Sequence, residues 1–289
     1  MRSGHWHLTA DVEDFLARAG DFLRSRPDVH TMPLSVTAKL RTPGGGSPGA
    51  VFGLLEQAGE VRASCYRLPA GGLSVTALTP EQADALAAHL AALGHAFPSV
   101  GAERATAAAF AEAWQRHTGA TPALRVRLHL LRLGVLTPPE PAPAGRARRA
   151  AERDHPQVVR WCGEFAADVG EPVTIDAGSW AGTRYAEKAY TFWETPDGTP
   201  VAMAGVNPMV AGQVRVDPVY TPIRLRGRGY AGAVTVEVSR AALAAGATDV
   251  VLFTDAANAT SNALYRRLGY VPVGEWATYG FSPAEPAAG

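Results

Sequence analysis

A proline-broken strand running into two glycines set among arginines constrains this chain more than any other stretch. Val214, Val216, Val219 and Tyr220 have the spacing of a short strand. Pro218 inside it has no N–H to give to a ladder, so a bulge or break is expected there. Pro222 ends the strand, and Arg226-Gly227-Arg228-Gly229-Tyr230-Ala231 follows. Glycine carries no Cβ, which lets the backbone turn tightly and come close to a ligand. Ala233, Val234, Val236, Val238 and Leu243 then recur with mixed helical spacing as far as a stop at Gly246. A glycine-rich turn among Arg224, Arg226 and Arg228 at a helix start is an anion site. Free backbone N–H groups point outward there and the helix dipole favours negative charge. The expected anion is a phosphate or pyrophosphate.

Gly227, Gly229 and Gly232 also satisfy G-x-G-x-x-G. A dinucleotide-binding strand runs apolar into its first glycine and opens a long α/β sheet. Here Arg224 and Arg226 precede the glycine, and roughly sixty residues follow, too few for two doubly wound halves. No G-x-x-x-x-G-K-S/T occurs, which sets aside a nucleotide triphosphatase loop.

Arg226-x-x-Gly229-x-Ala231 after a strand is similar to the Gln/Arg-x-x-Gly-x-Gly/Ala pyrophosphate loop of the GNAT N-acetyltransferases. The run V-Y-T-P-x-x-x-R-G-R-G-Y-A most resembles the branch whose C-terminal part is called FR47-like. Downstream, Asn258-Ala-Thr-Ser261-Asn-Ala-Leu-Tyr265-Arg-Arg-Leu-Gly269-Tyr270 resembles the family's N-x-x-x-x-x-x-Y-x-x-x-G-F/Y element. The likeness covers Tyr190 to Phe281.

The 289 residues suggest two modest domains or one large one. A hydrophobic share of 47% against 19% charged is a balance that can bury a core. Lys+Arg and Asp+Glu both number 27, so overall charge gives no support for general nucleic-acid binding. Cys65 and Cys162 are too few for a disulfide framework and read as buried thiols. Without C-x-x-C or H-E-x-x-H, no metal site is expected. No stretch approaches the ~20 apolar residues of a membrane span, and the N-terminus lacks an apolar signal core, so the default location is cytoplasmic.

Along the chain, the periodicity predicts helices over Val12–Leu23 and Pro33–Leu40, then strands over Ala50–Gln57, Glu60–Leu68 and Gly72–Leu78. A helix starts at Thr79-Pro80 and stops at Gly94, another covers Ala102–His117, and Ala123–Leu133 alternates as a half-buried strand. Pro138 to Gly145 holds four prolines and reads as a stiff linker. Arg146-Ala-Arg148-Arg149 reads as a solvated helix face. A helix over His155–Val169 follows, then a hairpin of Ala189–Glu194 and Val201–Val206 around Thr195-Pro-Asp-Gly-Thr199. After the anion loop and its helix come a strand Asp249–Thr254, a helix to Leu268, and a closing pair around Val271–Val273 and Trp276–Phe281.

The order in the second half, helix, three antiparallel strands, helix, strand, helix, strand, is the one the resemblance implies. The first half repeats a similar order without the loop. The expected fold class is α/β (α+β): the GNAT fold with a mixed central sheet, in two tandem GNAT-like domains. Residues 1–137 form a degenerate, non-binding copy, 138–145 the linker and 146–289 the catalytic copy.

The resemblance implies acetyl transfer from acetyl-CoA to a primary amine of a small molecule, amino acid or peptide, by direct attack in a ternary complex. Arg226, Gly227, Arg228, Gly229, Tyr230 and Ala231 would cradle the pyrophosphate. Val219, Tyr220 and Thr221 would pair with the pantetheine arm through the main chain, and an N–H of Val219 or Tyr220 would stabilise the thioester oxygen. Tyr265 matches the general acid that protonates the departing thiolate. Asn258 would cap its helix and contact the cofactor, with Ser261 beside it. Arg266 and Arg267 are surface charge or a phosphate rim. Some branches carry a glutamate five residues before the Asn; here that position is Phe253, which accepts no proton. Asp217, Glu194, the weaker Asp255, or a water remain for the base. The expected partner is an amine substrate, with neither nucleic acid nor membrane, in a monomer or homodimer. The alternative is an acyl-CoA sensor without turnover.

Overall fold

A computed structural model describes residues 5–42, 46–69, 71–171 and 175–283. The chain divides into two compact units. One takes the chain up to Leu130, with Thr254–Ala257 and the segment from Val273; the other takes Leu131–Phe253 and Asn258–Pro272.

The first unit opens with β1 (His5–Thr9), α1 (Val12–Ser25) and α2 (Thr31–Leu40). Asp11 starts α1 by accepting from the N–H groups of Glu13 at 2.7 Å and Asp14 at 3.4 Å. β2 (Val51–Gln57), β3 (Glu60–Arg67) and β4 (Leu73–Val75) then run antiparallel, with β1 on the outer side of β2. α3 (Pro80–Ala92) begins in a capping box between Thr79 and Gln82, which satisfies two otherwise orphaned amides. β5 (Ser99–Glu103) lies parallel to β4, α4 (Arg104–Thr118) follows, and β6 (Thr121–Leu133) continues into the second unit. Phe97, Phe110 and Trp114 pack as neighbouring rings in this unit's core, among Leu86, Leu90 and Val100.

The second unit repeats the order. β7 (Arg146–Arg149) pairs antiparallel with β8 (Ala189–Glu194), β8 with β9 (Pro200–Val206), and β9 with β10 (Gln213–Tyr220). α5 (His155–Asp168) precedes β8; α6 (Tyr230–Ala244), β11 (Asp249–Asp255), α7 (Ala259–Arg267) and β12 (Tyr270–Ser282) complete the chain. β11 is parallel to β10. Val214, Val216, Val234, Val238, Val250 and Leu252 form the core beneath α6. The tandem, mixed-sheet architecture expected from the sequence is therefore present.

Three local readings are corrected. Ser99–Glu103 is a strand, made so by ladders with β4 and β12 rather than by its own small and polar residues. Trp276–Gly280 belongs to one long β12, so Gly274 does not divide a closing pair. Arg146–Arg149 is β7, an edge strand and not a helix face.

That strand turns Arg148 inward, where Nε donates to Glu194 at 2.6 Å and the guanidinium forks onto Asp154 at 2.7 and 3.0 Å. The hydrogen bonds from Arg148 hold the Asp154 carboxyl down at about 2. A carboxyl lowered on folding stabilises the protein above its unfolded value and loses that contribution as pH falls through its folded one. Asp154→Asn should therefore cost roughly 1–2 kcal/mol at neutral pH. Denaturant melts should show that gap persisting to about pH 4 and closing toward pH 2. A gap independent of pH would assign the loss to packing.

Candidate functional site

The Arg226–Ala231 loop lies wholly in the second unit. Gly229 caps α6 from the left-handed region at φ +82°, and Gly227 holds φ +77°. L-residues rarely adopt either value, so both glycines are required by the backbone. No side chain caps α6, and the first-turn amides have no carbonyl a turn behind them. Space is open beside them: a Cβ at Gly227 would meet nothing within 4 Å, and one at Gly229 only Pro143 at 3.7 Å. The third glycine of the G-x-G-x-x-G match serves packing instead. A Cβ at Gly232 would sit 3.2 Å from Leu264 of α7.

The arginines divide their work. Arg226 donates through Nε to the Thr221 carbonyl at 2.9 Å and through its Nη2 to Asp168, which ties the loop to the end of β10 and to α5. Arg228 reaches the Arg224 carbonyl at 3.4 Å, and both side chains are exposed at the loop rim.

Beside the loop, two parallel strands part. β10 and β11 are in register from Gln213↔Asp249 to Arg215↔Val251 and no further. The β10–β9 ladder shifts between Val216 and Val219, where Pro218 withholds its N–H, and resumes at Val219↔Ala204 and Tyr220↔Met203. The stretch Val219–Thr221 thus keeps β9 on one side and leaves β11 on the other. Thr221 Oγ1 is buried there without a hydrogen-bond partner among the described residues. A strand edge, an orphaned hydroxyl and a helix amino end in sequence fit an extended amide-bearing arm that ends in a pyrophosphate.

Tyr265 of α7 belongs to the apolar cluster against which Val219 and Tyr230 pack. Asn258 caps α7 by accepting from the Ser261 N–H at 3.0 Å. Tyr265 is 8% exposed and packs edge-on to Tyr270, with ring centroids 6.0 Å apart. Its hydroxyl makes no hydrogen bond to any described residue. Burial raises its pKa above the ordinary tyrosine value, helped by Tyr270 and by the charge of Asp217. Burial therefore favours the protonated hydroxyl.

The three candidate bases are all engaged. Asp217, at the bulge, accepts from Arg184 and from Lys188, and the Lys188 ammonium also donates to the Asp217 carbonyl at 2.9 Å. Burial alone would raise the Asp217 carboxyl, but Lys188, Arg184 and Arg215 together hold it well below the usual range. Lys188, with its side chain 2% exposed, is pushed down by burial to about 8, against the pull of Asp217. The two shifts are consistent because one carboxylate is shared among several cations. It stays ionised, while the most buried cation is the easiest to discharge. An aspartate held this way is a poor proton acceptor, and its geometry is that of an anchor. Glu194 is taken by Arg148, and Asp255 accepts from the Ala257 N–H at 2.8 Å.

Sequence reasoning missed the partners of Asp217. Arg184 also binds Glu171, and Tyr185 donates to the same Glu171 at 2.9 Å. Their signal was a run of charge ahead of β8 with no local pattern. It also missed Glu164 on α5, which accepts from the Tyr220 hydroxyl at 2.7 Å. Cys162 is buried beneath this network, its S–H toward the Tyr190 hydroxyl at 3.4 Å, and burial pushes it up to about 11.

Among the described residues, no group of three or more His, Cys, Asp or Glu side chains is placed to hold a metal ion, and no helix is long and apolar enough to cross a membrane.

Residues 214–279 match the FR47-like protein family model. That span runs from β10 through the loop and α7 into β12. No curated protein matches the sequence. Among solved structures, the chain is similar to a GCN5-related N-acetyltransferase from Sphaerobacter thermophilus, at 20% identity and TM-score 0.59 over 97% of this chain and 96% of that one. It is similar also to a tandem GNAT protein from the clavulanic acid biosynthesis pathway, at 13% identity and TM-score 0.61 over 98% and 100% of the two chains. A GCN5-related N-acetyltransferase from Kribbella flavida aligns at 20% identity and TM-score 0.53 over 75% of this chain and 86% of that one.

Proposed function

We propose that this chain, which has the GNAT acetyltransferase fold and carries an FR47-like segment over residues 214–279, is an acetyl-CoA-dependent N-acetyltransferase. The observation that carries the reading is the parting of β10 from β11 next to the uncapped α6, with Thr221 Oγ1 unpartnered in the gap. The pyrophosphate of acetyl-CoA would take the amides from Gly227 to Ala231, and Arg224 and Arg228 would add charge from the rim. The pantetheine amides would pair with Val219–Thr221.

The acceptor is a primary amine on a small molecule, an amino acid or a peptide. Its nitrogen attacks the thioester carbon, and a main-chain N–H of Val219 or Tyr220 meets the oxygen as it gains charge. The carbon–sulfur bond breaks and Tyr265 gives its proton to the thiolate. The proton of the amine leaves to water, since Asp217, Glu194 and Asp255 are all committed elsewhere. Asp217 serves the reaction by holding the stretch around Arg184 and Lys188 against the bulge.

A second reading is an acyl-CoA-binding protein without turnover, favoured by the apolar Phe253 where some branches carry a glutamate. Calorimetric titration with acetyl-CoA, CoA and NADH, followed by thiol release against a panel of amines, separates the readings. Acetyl-CoA should bind, NADH should not, and some amine should release thiol. Binding without release across the panel would favour the sensor. No binding of CoA would remove both.

A further inference from the structure

The first unit holds a cavity of about 190 Å³ between the α1–α2 connection, α2, β3, β4, the end of β5 and residues 273–276 of β12. All of its lining residues belong to that unit. A cavity of ~150 Å³ already admits a benzene ring, so this one has room for a molecule of amino-acid size.

Its walls carry one cation and one anion at neutral pH. Arg26 and Glu103 both line it as exposed residues, and neither side chain forms a hydrogen bond or salt bridge with the other or with another described residue. His30, the remaining basic group in the wall, does not add a charge. Burial lowers its pKa, and its Nδ1 donates to the Leu23 carbonyl at 3.1 Å. Arg26 stands just before α2, whose amino end has no side-chain cap. Arg26 itself closes the carboxyl end of α1. Tyr66 and Trp276 supply aromatic surface, which suits an ammonium or an apolar side chain. Ser64, Ser74, Thr76 and the ring of His30 add polar groups to the wall, with the Thr76 hydroxyl already accepting from the Ser64 main-chain N–H at 2.8 Å.

Arg26 and Glu103 are exposed at the rim of the cavity, so a ligand that supplies both complements would have only water to displace from them. We propose that the cavity of the first unit binds a small zwitterion, an α-amino acid, with its carboxylate toward Arg26 and its ammonium toward Glu103. This assigns a ligand to the half of the chain that the sequence suggested binds nothing, and it stands whether or not the second unit transfers acetyl groups.

The test uses the full chain and individual L-amino acids, each compared with its decarboxylated amine and its deaminated acid. Saturation-transfer NMR and isothermal titration should find at least one amino acid that binds. Its amine and acid counterparts should bind at least about tenfold more weakly, since each lacks one charged contact. Arg26→Gln and Glu103→Gln are exposed substitutions that leave the core intact, and each should weaken the amino acid by at least about tenfold. Both should leave acetyl-CoA affinity unchanged, which separates this cavity from an acceptor site in the second unit. The proposal is overturned if no amino acid binds at millimolar concentration. It is overturned equally if either variant binds the amino acid as well as wild type does, or if the amine or acid alone binds as well as the zwitterion.

Discussion

Gly229→Glu should abolish measurable CoA binding while leaving a folded protein. Three effects act together at that position. On the proposed reading the first-turn amides of α6 donate to the phosphates, and a carboxylate placed among them would occupy the site with the same charge as the ligand. The side chain also brings a Cβ to a residue at φ +82°, where an L-residue costs roughly 1–2 kcal/mol. The surroundings do not clash, because the nearest atoms to that Cβ are those of Pro143 at 3.7 Å. The strain is local and small against typical domain stability, so the fold survives. Affinity should fall by more than about a hundredfold, since losing contacts to an ionised group costs up to ~3 kcal/mol before the added repulsion. Gly229→Ala is the control: it carries the same backbone strain and no charge, and should retain most of the affinity. Calorimetry on both variants decides the matter. Unchanged affinity in Gly229→Glu would place the pyrophosphate elsewhere, and equal losses in the two would make the loop's shape, not its field, the determinant.

What the sequence made legible was mostly local. Thr79 and Pro80 announced the start of α3 because a capping residue and the proline after it lie within one turn, while the box that Thr79 closes with Gln82 emerged only in the structure. Pro218 announced the bulge in β10 because a missing N–H breaks a ladder wherever it falls. The loop glycines at 227 and 229 announced their backbone, since the left-handed turn needs them. The repeated order of helices and strands was readable for the same reason.

What stayed hidden was set by partners far along the chain. Ser99-Val-Gly-Ala-Glu103 has little strand character, and becomes β5 only because β4 and β12 offer it ladders. Arg148 looked like solvated charge until β7 faced it toward Glu194 and Asp154. Asp217 looked like an available carboxylate because Lys188 and Arg184 are about thirty residues away in sequence, beyond the reach of any periodicity.

The distinction between anchor and acid gives Tyr265→Phe its expected signature. The ring stays, so packing against Tyr270 and the core is kept, and the hydroxyl that is lost has no hydrogen bond to a described residue. Stability and CoA affinity should both stay near wild type. Turnover should fall by about a hundredfold, the lower end of what a positioned general acid contributes. The pH profile adds a second reading. Burial raises the Tyr265 pKa, so the protonated form persists and the alkaline limb lies above the ordinary tyrosine value. That limb should vanish in the phenylalanine variant. Asp217→Asn should behave differently: it removes the countercharge of buried Lys188 and should lower stability by about 3 kcal/mol together with activity. A tyrosine that only packs would leave both rate and stability unchanged in the phenylalanine variant. A rate within twofold of wild type in Tyr265→Phe would remove it as the acid, and water would then have to protonate the thiolate.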